Sequence, residues 1–259
     1  MSGCFGRAEA MGHAGEILQG GVRLGERVEP FLVTLPVPEF RSAVTVRRGS
    51  AWSVTPAWKT KAFRAAKLAW GSLDGALEVV VNSSIPVGRG CGSSTADCVA
   101  AVRAVADFLN ASWGAEVVAR LVQQAELASD ATMFDLKPVA FLPRTGELLR
   151  RFDGAWPEMN VEVIDMGGPV VETLDCPVPS YSASELDEFA GLLIELEAAV
   201  AAGDAVGLGR VALRSGAIHQ RYRPHSQWDR LTMRAMAAGA FGVTLAHSGT
   251  VAGVLWRSF

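Results

Sequence analysis

Glu126 and Asp130 stand four residues apart, and the run Ala131-Thr132-Met133-Phe134-Asp135 follows them. A carboxylate at a helix end with another just beyond it can hold a divalent cation and take a proton from a hydroxyl. Phosphoryl transfer to an alcohol asks for both functions. Upstream lies Pro86-Val87-Gly88-Arg89-Gly90-Cys91-Gly92-Ser93-Ser94-Thr95-Ala96-Asp97. Its glycines let the backbone turn and come close to a ligand. The amides and positive dipole end of a helix starting there favour phosphate. Ser93, Ser94 and Thr95 are placed to cap that helix, or to turn one hydroxyl toward a magnesium ion. Each feature also has a plainer use. Glycine-rich turns with serine caps start many helices, and a carboxylate at a helix terminus needs no ligand.

Two other stretches bear polar groups on glycine-punctuated backbone. Ala8 to Gly20 carries His13, Glu16 and Gln19, and Gly242 to Leu255 carries His247, Ser248 and Gly249. The glycine-rich loop has no Gly-Lys-Ser/Thr and no Gly-x-Gly-x-x-Gly, which sets aside the Walker and dinucleotide patterns. Instead, Pro86 to Thr95 resembles the phosphate loop of the GHMP kinases, Pro-x-x-x-Gly-Leu-Gly-Ser-Ser-Ala, with Cys91 for Leu and Thr95 for Ala. The ending Ser-Ser-Thr-Ala-Asp is most similar to the L-threonine kinase branch, linked to cobalamin synthesis. Gly12, Gly15, Glu16, Gln19 and Gly20 match the Pro-Gly-Thr-Cys-Gly-Glu-x-x-Gln-Gly motif of that branch, with Met11, His13 and Ala14 for Pro, Thr and Cys. A ring at His13 in place of a small hydroxyl changes both shape and charge. Glu126, Asp130, Thr132 and Phe134 resemble its Glu-x-x-x-Asp run, and Ala246 to Gly253 its Ala-His-Ser/Thr-Gly-x-Val-x-Gly motif.

The resemblance implies ATP and Mg2+ as cofactors and a small hydroxyl compound as acceptor. Pro86, Gly88, Arg89, Gly90, Gly92, Ser93, Ser94 and Thr95 would bind the nucleotide phosphates. Ser94 and Glu126 would hold the metal. Asp130 would be the base, with Ser94 beside it in catalysis and Asp135 the rival base. His13, Glu16, Gln19, His247, Ser248 and Gly249 would bind substrate. The acceptor would be L-threonine or a similar hydroxy amino acid. Homoserine, a sugar or a mevalonate-like alcohol stays open, as does a GHMP-fold protein that binds nucleotide without turnover. The implied fold is α+β in two domains: a ribosomal protein S5 domain 2-like part over residues 1–150, and an α/β-plait-like part over 151–259, abbreviated beside that branch.

The residue pattern supplies elements to position these groups. Leu77 to Val81 reads as a buried strand before the loop, and Cys98 to Leu109 as the helix after it. Ala115 to Ser129 has apolar residues near helical spacing and delivers Glu126 to its end. Ala8 to Gly20 reads as a loop leading into a short turn or strand. Residues 28–55 alternate in places and read as antiparallel strands, with Arg41, Arg47 and Arg48 on a solvated face. Lys59 to Trp70 reads as a helix whose wet side carries Lys59, Lys61, Arg64 and Lys67. Strands are expected at 139–142, 148–152 and 161–166. Helices are expected after a Ser182 or Ser184 cap up to Gly203, over 204–218 and over 227–238. Between the last two, Gln220 or Arg221 could meet a substrate carboxylate. The C-terminal motif reads by itself as strand, turn and helix.

Composition narrows the class. With 49% hydrophobic and 20% charged residues, the 259-residue chain can bury a sizeable core. A net charge of −3 gives no basic field for nucleic acid. Cys4, Cys91, Cys98 and Cys176 are scattered without a Cys-x-x-Cys pair and read as reduced thiols. Cys91 is expected to pack rather than attack. No signal peptide or bilayer-length apolar run is evident, so a cytoplasmic protein is expected, one that could form a homodimer.

Overall fold

The computed structural model describes residues 5–169, 177 and 179–258; Cys4, Cys176 and Phe259 lie outside them. Two long strands form its spine, β1 (Phe5–Leu24) and β2 (Arg27–Gly49), paired antiparallel. The N-terminal segment is therefore strand throughout, not a loop. The glycines that suggested a loop sit where the β1–β2 register breaks, between Met11 and Gly12, His13 and Glu16, and Glu16 and Leu18. Such bulges re-aim side chains without ending the strand. Residues 12–21 are all buried, so the alternation that marks a half-exposed strand is missing.

β3 (Ser53–Thr55) runs parallel to β4 (Ala76–Ser83), and β4 pairs antiparallel with β2. Past β1 come β8 (Gly242–Leu245), β9 (Val251–Arg257) and β7 (Met159–Asp165), giving the order β3-β4-β2-β1-β8-β9-β7. β5 (Val139–Leu142) pairs with β2 and with β6 (Glu147–Arg151). The segment after the C-terminal turn is the strand β9, not a helix. Its β-branched Val251 and Val254 fit a strand paired on both sides, by β8 and β7.

Helices α1 (Thr60–Trp70), α2 (Ser93–Phe108) and α3 (Ala115–Glu126) cover the N-terminal half of the sheet. Ala100, Ala101, Val102, Ala104 and Val105 of α2 are fully buried against Val44, Val46 and Val79 in the main core. A second core joins Ile17, Leu18, Phe31 and Val33 of the spine to α4 (Ala183–Ala202) and α5 (Ala205–His219). Ser182 caps α4 through a capping box with Glu185, Gly203 ends it, and Asp204 caps α5. A smaller core packs α6 (Trp228–Ala237) on β8 and β9. Arg41 pairs with Glu9 and Arg47 with Glu78 on the outer face. Among the described residues, no helix is long and apolar enough to cross a membrane.

Candidate active site

β4 feeds the glycine-rich loop, and the loop ends at the start of α2. Gly92 is the helix N-cap, with φ 69° and ψ 23° in the left-handed region, and no side chain caps the helix. The expected capping by Ser93, Ser94 or Thr95 does not occur. All three follow Gly92 as helical residues, and the first intrahelical bond runs from Ala96 N to Gly92 O at 2.9 Å. First-turn amides that no side chain caps are available to an anion. A side chain at Gly92 is excluded in any case. A Cβ there would lie 2.4 Å from His13 Cδ2 and 3.1 Å from Asp130 Oδ2.

The turn between β8 and β9 clamps the loop from outside. Thr250 N and Val251 N donate to Arg89 O at 2.9 and 3.2 Å. Gly249, at φ 128°, lies so close that a Cβ would sit 2.5 Å from Arg89 O. The Arg89 side chain turns away from the loop to Gly168 O at 3.0 Å and Asp165 Oδ2 at 3.4 Å. Thr250 Oγ1 donates to the other oxygen of Asp165 at 2.5 Å, and these contacts hold that carboxyl below its usual range. Burial pushes the Cys91 thiol up to about 11, in keeping with a packing role.

A cavity of about 290 Å³ opens beside this loop. Of the expected site residues, it is lined by Gly88, Gly90, Gly92, Ser93, Ser94, Thr95, Glu126, Asp130, His13, Glu16, His247 and Ser248. Pro86, Arg89, Gln19 and Gly249 are not on its wall; the last three support residues that are. Gln19 Nε2 donates to Leu245 O at 2.9 Å, and its Oε1 lies 3.1 Å from His247 Nδ1. Burial, then the charge of Arg223, holds His247 down at about 4, so it is neutral near pH 7.

The α3 C-terminus presents Glu126, where Leu127 closes the helix in the left-handed region. Glu126 is buried, and its Oε2 has no hydrogen-bond partner. Burial pushes its carboxyl up to about 7, against the hydroxyls of Ser94 and Thr95 and the charge of Lys61. Asp130 follows, 23% exposed at the side chain, its Oδ2 3.1 Å from His13 Nε2. Thr95 Oγ1 lies 3.4 Å from the same oxygen and accepts from Asp130 N at 3.3 Å. Burial opposes the charge of Asp130, but His13, His247 and Thr95 outweigh it and hold the carboxyl below its usual range. Burial likewise opposes a charge on His13, but Asp130 and Glu16 together raise it. Glu16 is buried, and burial pushes it up to about 7. The rival base Asp135 is bound through both oxygens by Arg103, at 2.8 and 3.0 Å, and lines no part of the cavity. Gln220 accepts from His225 N at 2.6 Å and Arg221 pairs with Glu185, so neither expected carboxylate ligand faces the site.

Sequence reasoning missed Lys59 and Lys61. Lys59 is not on a wet helix face. It is buried, precedes the first residue of α1, and pairs with Asp97 of α2, which also accepts from Ser42 Oγ at 2.6 Å. Lys61 lines the cavity with Trp58 and Thr60. Helical periodicity cannot describe a residue outside the helix, so no local signal marked Lys59.

Residues 58–138 match the family described as the GHMP kinases N terminal domain. The chain is 25% identical over 254 residues to the L-threonine kinase of Citrobacter freundii, covering 96% of this chain and 85% of that protein. Its fold resembles a homoserine kinase from Cytophaga hutchinsonii (TM-score 0.74, 15% identity), covering 100% of this chain and 87% of that one. It also resembles a mevalonate kinase from Staphylococcus aureus (TM-score 0.62, 19% identity), covering 98% and 91%.

Proposed function

We propose that this chain, a member of the GHMP kinases and so a phosphotransferase with an alcohol acceptor, moves the γ-phosphoryl group of ATP to the side-chain hydroxyl of a hydroxy amino acid, L-threonine first among them. One observation carries the reading of the site. The uncapped start of α2, the unpartnered Glu126 oxygen and the ionised Asp130 all line one cavity. The threonine relative, similar over nearly the whole chain, favours an amino acid acceptor.

The first-turn amides of α2 and the backbone of Gly88 to Gly92 cradle the phosphates. Ser94 and Glu126 offer hard oxygen donors, and the unpartnered Glu126 Oε2 fits a magnesium ion. Magnesium, when bound, neutralises the charge that develops on the phosphates. Asp130 accepts the hydroxyl proton as the new oxygen–phosphorus bond forms and the bond to the leaving phosphate oxygen breaks. His13, His247 and Ser248 line the acceptor side of the cavity. Residues 1–150 would carry the nucleotide half, and 151–259 would close it through the β8–β9 turn.

The test is ADP release from Mg-ATP with L-threonine, L-serine, L-homoserine and simple alcohols, alongside Asp130→Asn. Threonine is expected to stimulate release. The variant should lose it by about 10²- to 10⁴-fold while still binding ATP. Release stimulated only by another alcohol would move the acceptor. ATP binding with no stimulated release would point to a nucleotide-binding protein without turnover.

A further inference from the structure

Asp130, His13 and Glu16 form a file that runs from the cavity into the core. Their side chains are 23%, 3% and 0% exposed. All three line the cavity, and the outermost, Asp130, is the one most open to it. His13 Nε2 and Thr95 Oγ1 both address Oδ2 of Asp130, at 3.1 and 3.4 Å, and neither contact reaches Oδ1. On its inner edge His13 Nδ1 accepts from Gly15 N at 3.2 Å, which places the ring proton on Nε2; that nitrogen lies 3.1 Å from Asp130 Oδ2 without an aligned hydrogen bond. Glu16 Oε1 lies 3.9 Å from Nδ1, and neither Glu16 oxygen has a hydrogen-bond partner.

The three residues bring ligand atoms within 4.8 Å of one another, as a metal site would. A single ion fits them poorly. The two nitrogens of His13 face different carboxylates, and Nδ1 is already engaged by Gly15.

We propose that His13 is a positioning residue for the base. Its Nε2 edge, packed 3.1 Å from Oδ2 of Asp130, keeps that oxygen turned inward so that Oδ1 is left for the acceptor hydroxyl, and the Gly15 amide anchors the ring from behind. This rests on Asp130 being the base. In the transfer, the acceptor O–H bond breaks toward Oδ1, the oxygen–phosphorus bond forms, and the bridge to the leaving diphosphate breaks. His13 keeps its proton throughout. The histidine thus does the orienting that a small hydroxyl at its position could not reach to do.

The groups facing Asp130 are His13 and Glu16 from β1, Thr95 from α2, Glu126 from the end of α3, and His247 from the β8–β9 turn. Removing His13 takes away the largest influence that holds Asp130 down and leaves burial to push it up. The acid limb of the kcat/KM profile then moves to higher pH.

The experiment compares His13→Ala, His13→Gln, Asp130→Asn and the His13→Ala/Asp130→Asn double variant. The readouts are kcat, KM for ATP and pH profiles. His13→Ala should lower kcat about 10²-fold with KM for ATP unchanged, and raise the acid limb. His13→Gln, whose amide can fill nearly the same place beside Oδ2, should recover most of kcat. The double variant should be no slower than Asp130→Asn alone. If Asp130→Asn is slow while His13→Ala keeps its rate and acid limb, the proposal fails and the base stands. The same holds if the two losses multiply. If Asp130→Asn keeps full turnover, both readings fall together. If His13→Ala does not fold, the Gln variant decides: a rate as low as that of Asp130→Asn would overturn the proposal.

Discussion

Gly92→Ala tests the site most sharply, because its two effects can be separated. The first is backbone. Gly92 sits at φ 69°, where an L-residue costs about 1–2 kcal/mol. The second is steric. The new Cβ would lie 2.4 Å from His13 Cδ2 and 2.7 Å from Nε2, about 1 Å inside ordinary carbon contact. Either the ring or the start of α2 must yield by that amount. The Asp130 contact at 3.1 Å cannot survive such a shift unchanged. A displacement of about 1 Å at a catalytic group costs roughly 10²-fold in rate. Gly25→Ala supplies the control. Its φ of 62° carries the same backbone cost, but nothing lies within 4 Å of its Cβ. Thermal denaturation and threonine-dependent ADP release would be measured on both. Both should lose about 2–8 °C in Tm, and only Gly92→Ala should lose turnover. Turnover within twofold of the parent in Gly92→Ala would refute the reasoning, because the loop, His13 and Asp130 would not then be in contact as described.

Glu126 links the site to stability. Its carboxyl is raised in the folded chain to about 7, so its protonated form is the one the fold favours. The chain without metal should therefore lose stability as pH rises from below the usual carboxylate range through about 7, by on the order of 3 kcal/mol at most. Urea denaturation at pH 5 and pH 8 would show this, and Glu126→Gln should remove its share of the slope, Glu16, also raised to about 7, supplying the rest. Lys59→Met leaves Asp97 buried without its cation and should cost about 3–5 kcal/mol; adding Asp97→Asn should recover much of that in the same assay. Gly249→Ala drives a Cβ into Arg89 O at 2.5 Å and should raise KM for ATP more than KM for the acceptor in steady-state kinetics. Equal effects on both would detach the β8–β9 turn from the phosphate loop.

Much of the local structure was legible because it rests on local physics. The strand-loop-helix around Gly88 to Ser94, the helix that delivers Glu126 to its end, and the helix opened by a serine cap at 182 or 184 depend on glycine, on hydroxyl side chains, and on apolar spacing within a few residues. The same residues carried the kinase resemblance. They were enough to set the order of the expected chemistry along the chain: a phosphate loop first, a carboxylate pair after it.

Other features were decided only by the tertiary structure. β1 is buried on both faces where it crosses the centre of the sheet, so it shows no alternation, and its bulge glycines imitate a loop. β9 is a strand because β7 and β8 flank it, a fact of long-range pairing that the pattern Val251 to Leu255 does not contain. Lys59 is a buried partner of Asp97 only because α1 packs on α2. Arg89 was read as a phosphate ligand from its place in the loop, yet Asp165 and Gly168, far along the chain, draw its side chain away. His13 read as a substitution in an acceptor motif. Folding puts the Gly15 amide on one edge of its ring and Asp130 3.1 Å from the other. Composition and periodicity report how a residue suits its neighbours in sequence. Which residues face one another across a cavity depends on the pairing of distant segments, and only the folded chain carries that.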